Sequence, residues 1–434
     1  MIDHSLSFLD LKSSSSGAPV ARRLAALSFG ALTYIVLAGT RPFQTELVAE
    51  FGRSGKGTSV EVLLYLATTC LCLLVCLHLA GRRLINWWMI GLAFLIGYCG
   101  LSLIWSDTAV TGIVRLGQLG LVSFAVASTV ITLGVSRVLE VVYSVLLAIL
   151  VLNFLSVMFV PFAHHQVGEI GTYPFNVSSW KGVHIHKNYA GPVAAMTVMM
   201  AVARVLSGRW WHVVVILAAC VFLWNTKSTT SQIALGISLG LMMLSKLQCR
   251  AMGRGAARFT LLAIVASCVV VLPFLSGHFA ALFNDPYALT GRVELWHALG
   301  SYIEAYPWTG SGFGSFWRIG NMSPILHITD GWAVHTGQGH NGVLDVAATI
   351  GLPGLALTLL LFLVLPSFTV VCKVRGRSAN FDILFCFLVF AWFHNSVETS
   401  LLSPTHPVFF ALLLATFGLG QLPSDPCTQE IGDV

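Results

Sequence analysis

Apolar residues fall along the chain in long runs separated by short polar or glycine-rich breaks. The runs lie near 24–40, 60–80, 84–104, 112–134, 138–161, 189–206, 210–225, 231–246, 258–276, 351–371, 382–400 and 405–420. A helix crosses a bilayer in roughly 17–25 mostly apolar residues. The pattern therefore predicts an all-α polytopic integral membrane protein of about 12 transmembrane helices; a few runs are short or contiguous, which leaves eleven open. An N-terminal tail, 1–23, precedes a membrane domain over 24–420, and a C-terminal tail covers 421–434. No small-residue cleavage site follows an N-terminal apolar run, so the first tail is expected to be retained and cytoplasmic.

Composition narrows this reading. The chain is 56% hydrophobic and 10% charged, with a mean hydropathy of +0.81. Soluble domains carry about a quarter charged residues, which excludes a soluble enzyme on a single anchor. The net charge of +6 forms no long basic tract, so no nucleic-acid partner is expected. Fifteen of the 24 basic residues, from Lys12, Arg22 and Arg23 to Lys373, Arg375 and Arg377, crowd into the short connections of one side. The positive-inside rule then puts both termini in the cytoplasm. Two long outer loops follow, about 162–188 and 277–340; loops of that length are usually functional or disordered, and their mixed Trp, Tyr, Phe, Gly and Pro content suggests folded structure. Eleven of the 14 histidines, all but His4, His78 and His212, fall on the same outer side. The chemistry is therefore expected there. Neither outer loop holds a cysteine, and Cys70, Cys72 and Cys76 read as small buried residues of a helix.

The pattern His340-Asn341, nine residues, Gly351, two residues, Gly354 closes the second loop and enters an apolar run reaching Val371. About thirty residues in one straight helix would span roughly 45 Å against a core of about 30 Å, so Gly351-Leu352-Pro353-Gly354 is expected to bend it. Taken alone, His340 is equally well an interfacial helix cap. The pattern resembles, however, the signature of the O-antigen ligase and Wzy polymerase superfamily. Other phrases resemble that family in the same order: Trp105-Ser106, Trp180-Lys181-Gly182, His186-Lys187-Asn188, Ser228 to Thr230, Gly291-Arg292 with Trp296, Gly310-x-Gly312-x-Gly314, and Asn395 to Ser400. The resemblance runs from about residue 100 to 400, with its motifs concentrated in about 180–400, and is strongest to ExoQ-type exopolysaccharide polymerases.

What the resemblance implies is a GT-C-like glycosyltransferase at the outer face of the bacterial inner membrane. Its donor would be an undecaprenyl-pyrophosphate-linked oligosaccharide, with no cofactor and no metal. Membrane lipid, chain-length regulators and flippases are the implied partners. His340 would act as base or position the acceptor hydroxyl, since imidazole accepts protons near neutral pH. Arg292 would bind the pyrophosphate through its planar fork, on a short helix capped by Thr290; the rival reading is snorkelling, or pairing with Glu294. The stripe Val293, Trp296, Leu299 or Gly300, and Ile303 would let that helix lie on the membrane. Lys181, where the family commonly has Arg, and Lys187 would add charge, with Asn188 and Asn341 as further substrate contacts. His184, His186, His297 and His335 are weaker candidates. Loop aromatics, among them Tyr173, Phe175, Trp180, Tyr302, Tyr306, Trp308, Phe316, Trp317 and Trp332, suit sugar stacking or interfacial anchoring alike. Within the spans, Arg115 and Glu398 stand out because intramembrane charge is costly; Arg115 also fits the interface, and Glu398 a group holding an active-site Arg. Two other functions stay open. An O-antigen ligase would pass the glycan to lipid A–core, whereas a multi-span transporter would be expected to show an internal repeat, and none is visible.

Overall fold

The computed structural model describes residues 17–40, 42–43, 59–166, 177–251, 292–329, 334, 336–373 and 378–423. Among them the architecture is all-helical, and the only backbone bridge between extended residues is His164 with Trp180. Apolar runs become helices because a chain in lipid must satisfy its own backbone polar groups. In order these are α1 (Gly17–Ala38), α2 (Ser59–Ala80), α3 (Trp87–Leu101, tightening into Ser102–Trp105), α4 (Ala109–Leu133), α5 (Val135–Phe159), α6 (Lys187–Leu206), α7 (Val213–Asn225) and α8 (Thr229–Ala251). They continue with α9 (Arg292–Ala305), α10 (Gly342–Lys373), α11 (Ala379–Val397) and α12 (Pro407–Gln421).

Nine of the described helices are long and apolar enough to span a membrane; the segments Trp210–Asn225 and Pro407–Gln421 are shorter. The expected span at 258–276 lies outside the described residues. So do Thr290, Gly291, Tyr173, Phe175, Trp332 and His335. The first helix begins at Gly17, so Arg22 and Arg23 stand exposed in its early turns rather than before it.

The bundle has an inner set of helices. α6 and α11 are 72% and 67% buried over their spans, while α2, α3, α8 and α10 are 22–28% buried and face outward. α12 is buried along nearly its whole length. It packs on α11, α4 and α6, so a fully enclosed helix need not match the bilayer thickness. Cys72 and Cys76 are buried on α2, their Sγ atoms 3.2 and 3.5 Å from Thr129 Oγ1 on α4.

α10 bends where its glycines fall. Ile350 and Gly351 leave helical geometry, with Gly351 at φ 69°. The backbone groups freed by the bend are met from the 307–311 loop: Leu352 N donates to Pro307 O at 2.7 Å and Ser311 N to Ala348 O at 3.0 Å. Tyr98 donates its hydroxyl to Ile350 O at 3.3 Å, and Trp105 Nε1 reaches Thr309 O at 3.0 Å. A Cβ at Gly310 would sit 2.7 Å from Ala348 O, and one at Gly312 2.8 Å from Ser102 O, so these glycines let the loop slip between α3 and the bend.

The apolar stripe of α9 does not lie on lipid. Val293 and Leu299 of the stripe are buried, and Leu299 joins its neighbour Leu295 in a second small core with Phe316, Ile325 and Ala348, flanked by Tyr302, Ile303, Trp317 and Leu344. The helix thus docks on α10, because its other neighbours are the loop aromatics, which supply a protein surface for the stripe.

Candidate functional site

The site grows from the C-terminal end of α11. Asn395 Oδ1 accepts from Ser400 N, Ser400 Oγ and Leu401 N, each at 2.9 Å, while its Nδ2 donates to Ala391 O at 2.8 Å. One amide therefore turns the chain back and presents Glu398, which caps the helix in an extended conformation. The start of α10 meets this turn closely: Gly342 N donates to Glu398 O at 3.1 Å. A Cβ on Gly342 would fall 2.4 Å from Asn395 Oδ1, so only glycine permits the approach.

Glu398 joins three separate parts of the chain. Arg292, the first residue of α9, donates Nη2 to Glu398 Oε1 at 2.8 Å and Nη1 to Val397 O. His340 Nδ1 lies 2.9 Å from Glu398 Oε2, and Asn188 Nδ2 donates to Oε1 at 3.4 Å. Burial alone would raise the carboxyl; the His340 hydrogen bond and the Arg292 guanidinium outweigh it and hold Glu398 well below the usual carboxylate range.

His340 stands in a left-handed conformation, φ 51°, which is uncommon for a residue with a Cβ and often marks a functional position. Its backbone is clamped on both sides. Gly339 N donates to Asp345 Oδ1 and Oδ2 at 3.1 and 3.0 Å, and Gly339 O accepts from Trp296 Nε1 at 2.9 Å. Asp345 also accepts from Trp317 Nε1 at 3.0 Å. On the other side Asn341 N donates to Thr399 Oγ1 at 3.2 Å, and the Asn341 side chain caps α10 by accepting from Val343 N and Leu344 N. Its Nδ2 donates to Ser396 O at 3.2 Å.

The third wall is the start of α6. His186 caps it, accepting from Asn188 N at 3.1 Å, and Lys187 N donates to His165 Nε2 at 3.1 Å. Gly191 lets the next turn approach: a Cβ there would lie 2.7 Å from Ser228 Oγ. This closeness brings Lys187 Nζ to 3.3 Å from Lys227 O. Lys187 feels the charges of Glu398, Lys227 and Arg292, so three cations share this neighbourhood with one carboxylate among the described residues.

Most of the residues expected from sequence converge here: Arg292, His340, Asn341, Lys187 and Asn188. Lys181 lies apart, fully buried in the 180–184 turn, with its backbone N donating to Ala163 O at 2.9 Å. Asn153 of α5 holds that turn, accepting from Val183 N at 3.0 Å and meeting His184 Nε2 at 3.2 Å. Burial pushes His184 down to about 4, so it is a neutral structural group near neutral pH. Trp180 packs edge-on against Phe154, and Tyr302 and Phe316 are likewise in ring contact. Arg115 spends its guanidinium on the carbonyls of Gly314, Trp317 and Arg318. His297 is exposed on α9.

Lys227 and Asp345 escape sequence reasoning. Lys227 precedes the Ser228–Thr230 phrase and adopts φ 53°, but no spacing in the chain pairs it with Lys187. Asp345 sits four residues beyond Asn341, a helical turn that places it back under the His340 loop.

The arrangement offers an imidazole oriented by a carboxylate, a guanidinium on the same carboxylate, and lysines beside them. It is suited to holding an anion while a proton leaves a hydroxyl. Residues 192–359 match the family model described as O-antigen ligase, a stretch that includes Lys227, Arg292, His340, Asn341 and the glycines of the α10 bend. No curated protein matches the chain. That matched stretch supports a place for this part of the chain in the O-antigen ligase and Wzy superfamily, a group of glycan-transferring membrane proteins.

Proposed function

We propose that this protein polymerises exopolysaccharide repeat units at the outer face of the inner membrane. It would transfer a glycan from undecaprenyl pyrophosphate to a hydroxyl of a second lipid-linked unit. The observation that carries the reading is Glu398 bound at once to Arg292 and His340. With Nδ1–H given to the carboxylate, His340 Nε2 is the nitrogen left to accept the acceptor proton. The new bond joins that oxygen to the anomeric carbon as the bond from this carbon to the phosphate oxygen breaks. The pyrophosphate leaves with the electron pair and gains negative charge, which Arg292 and Lys187 would offset. Asn188 and Asn341 line the same ground.

The matched family's description favours a second reading, ligation of the glycan to lipid A–core. A deletion strain separates the two. Loss of the polymerase leaves single repeat units without polymer, whereas long lipid-linked polymer that fails only to reach the core would establish the ligase instead.

A further inference from the structure

At the end of the bundle opposite Glu398, a cavity of about 430 Å³ opens between α1, the end of α4 and the start of α5. Arg22, Arg23 and Arg137 line it together with Ile131, Thr132, Leu133 and Gly134. Among the described residues the acid that meets this set is Glu140, paired with Arg137 at 3.1 Å in a contact where both side chains are about 60% exposed. A surface pair of that kind leaves most of the guanidinium's donors available. The 25-residue helix α5 begins at the cavity wall, with Gly134 at φ 79° as its N-cap and no side chain capping it. Its first N–H groups and the positive end of its dipole add to the same field.

The surroundings say what kind of anion would enter. The cavity lies at the level where α1 enters the apolar layer and where the α4–α5 connection leaves it. Trp87, Trp210 and Trp211 are exposed at the same end of the bundle, 85%, 76% and 53%, as expected of side chains at the headgroup level. A small soluble anion needs no apolar wall, but Ile131 and Leu133 provide one beside the arginines. We propose that this cavity is a binding site for the headgroup of an anionic phospholipid, its phosphodiester on Arg22, Arg23 and Arg137 and its acyl chains along α1 and α4. The site is independent of glycan transfer. It ties the first helix to the α4–α5 hairpin through a lipid.

Native mass spectrometry of the full-length protein in neutral detergent tests this directly, titrating phosphatidylglycerol against phosphatidylcholine. The wild-type protein should retain one phosphatidylglycerol that phosphatidylcholine does not replace. The triple variant Arg22→Ala, Arg23→Ala, Arg137→Ala should bind it more weakly by on the order of 10- to 100-fold. Arg82→Ala with Arg83→Ala, at the same end but outside the cavity, should bind as the wild type does. Equal loss in both variants, or equal retention of the two lipids by the wild type, would overturn the proposal. So would displacement of phosphatidylglycerol by millimolar inorganic phosphate, since the site would then be one for a free anion. A triple variant that fails to fold is replaced by Arg22→Gln with Arg137→Gln, read in the same titration.

Discussion

Glu398 is 5% exposed yet held as an anion, because a guanidinium and an imidazole occupy its two oxygens. Replacing it by Gln keeps the shape but turns one acceptor into a donor, which faces His340 or Arg292 with the wrong partner. Glu398→Gln should reduce transfer on the order of 10²-fold or more with the protein still folded, measured as polymer formed per mole of membrane-extracted protein. Asp345 acts one step further away. Its carboxylate fixes Gly339 through both oxygens and so fixes the strained backbone of His340. Asp345→Asn should lower the rate roughly tenfold, with the lipid-donor KM little changed, because one unmatched buried donor costs about 1–3 kcal/mol. In a His340→Ala background it should cost almost nothing more, and an unchanged tenfold loss there would show that Asp345 does not act through His340.

At the scale of elements, the bend in α10 was legible because two glycines and a proline interrupt an overlong apolar run. Its reason was not: the loop that fills the bend comes from residues 307–311, and no local pattern pairs these with 348–352. The α9 stripe shows the converse. Its period was readable, but the surface it covers depends on Phe316 and Ile325, which reach it only through tertiary packing. Gly351 gives a direct check. Its φ of 69° and a would-be Cβ 2.5 Å from Trp308 O make Gly351→Ala destabilising, by about 2–4 kcal/mol. Gly117→Ala on α4, where a Cβ meets nothing within 4 Å, should leave thermal unfolding in detergent unchanged or slightly raised.

Across the whole molecule, the sequence set the ends of the bundle apart by charge and histidine content, and the described spanning helices fall on apolar runs, whereas α9 falls inside an expected loop. It could not bring Glu398, Arg292, His340 and Lys187 together, because that takes four chain segments and the close glycine contacts between them. The distribution of buried histidines predicts how the bundle responds to acid. Burial lowers His184 to about 4 and His406 to about 3, from 6.5. Both are neutral when folded, while the unfolded chain takes up protons below about 6.5. Their contribution is complete above that pH and is lost as pH falls toward 4 and then 3, at about 1.4 kcal/mol per unit for each histidine. The melting temperature should therefore drop between pH 6.5 and 4.5, and His184→Gln should make that slope shallower. The same slope in the variant would remove His184 from the account. Glu398 and its partners orient the His340 imidazole as the base. The decisive measurement gives purified protein a pyrophosphate-linked polyprenyl repeat unit and follows released polyprenyl pyrophosphate for wild type and His340→Ala. The account predicts at least a 100-fold loss on the order of that for an oriented base at unchanged melting temperature. Release at the wild-type rate from His340→Ala would contradict it.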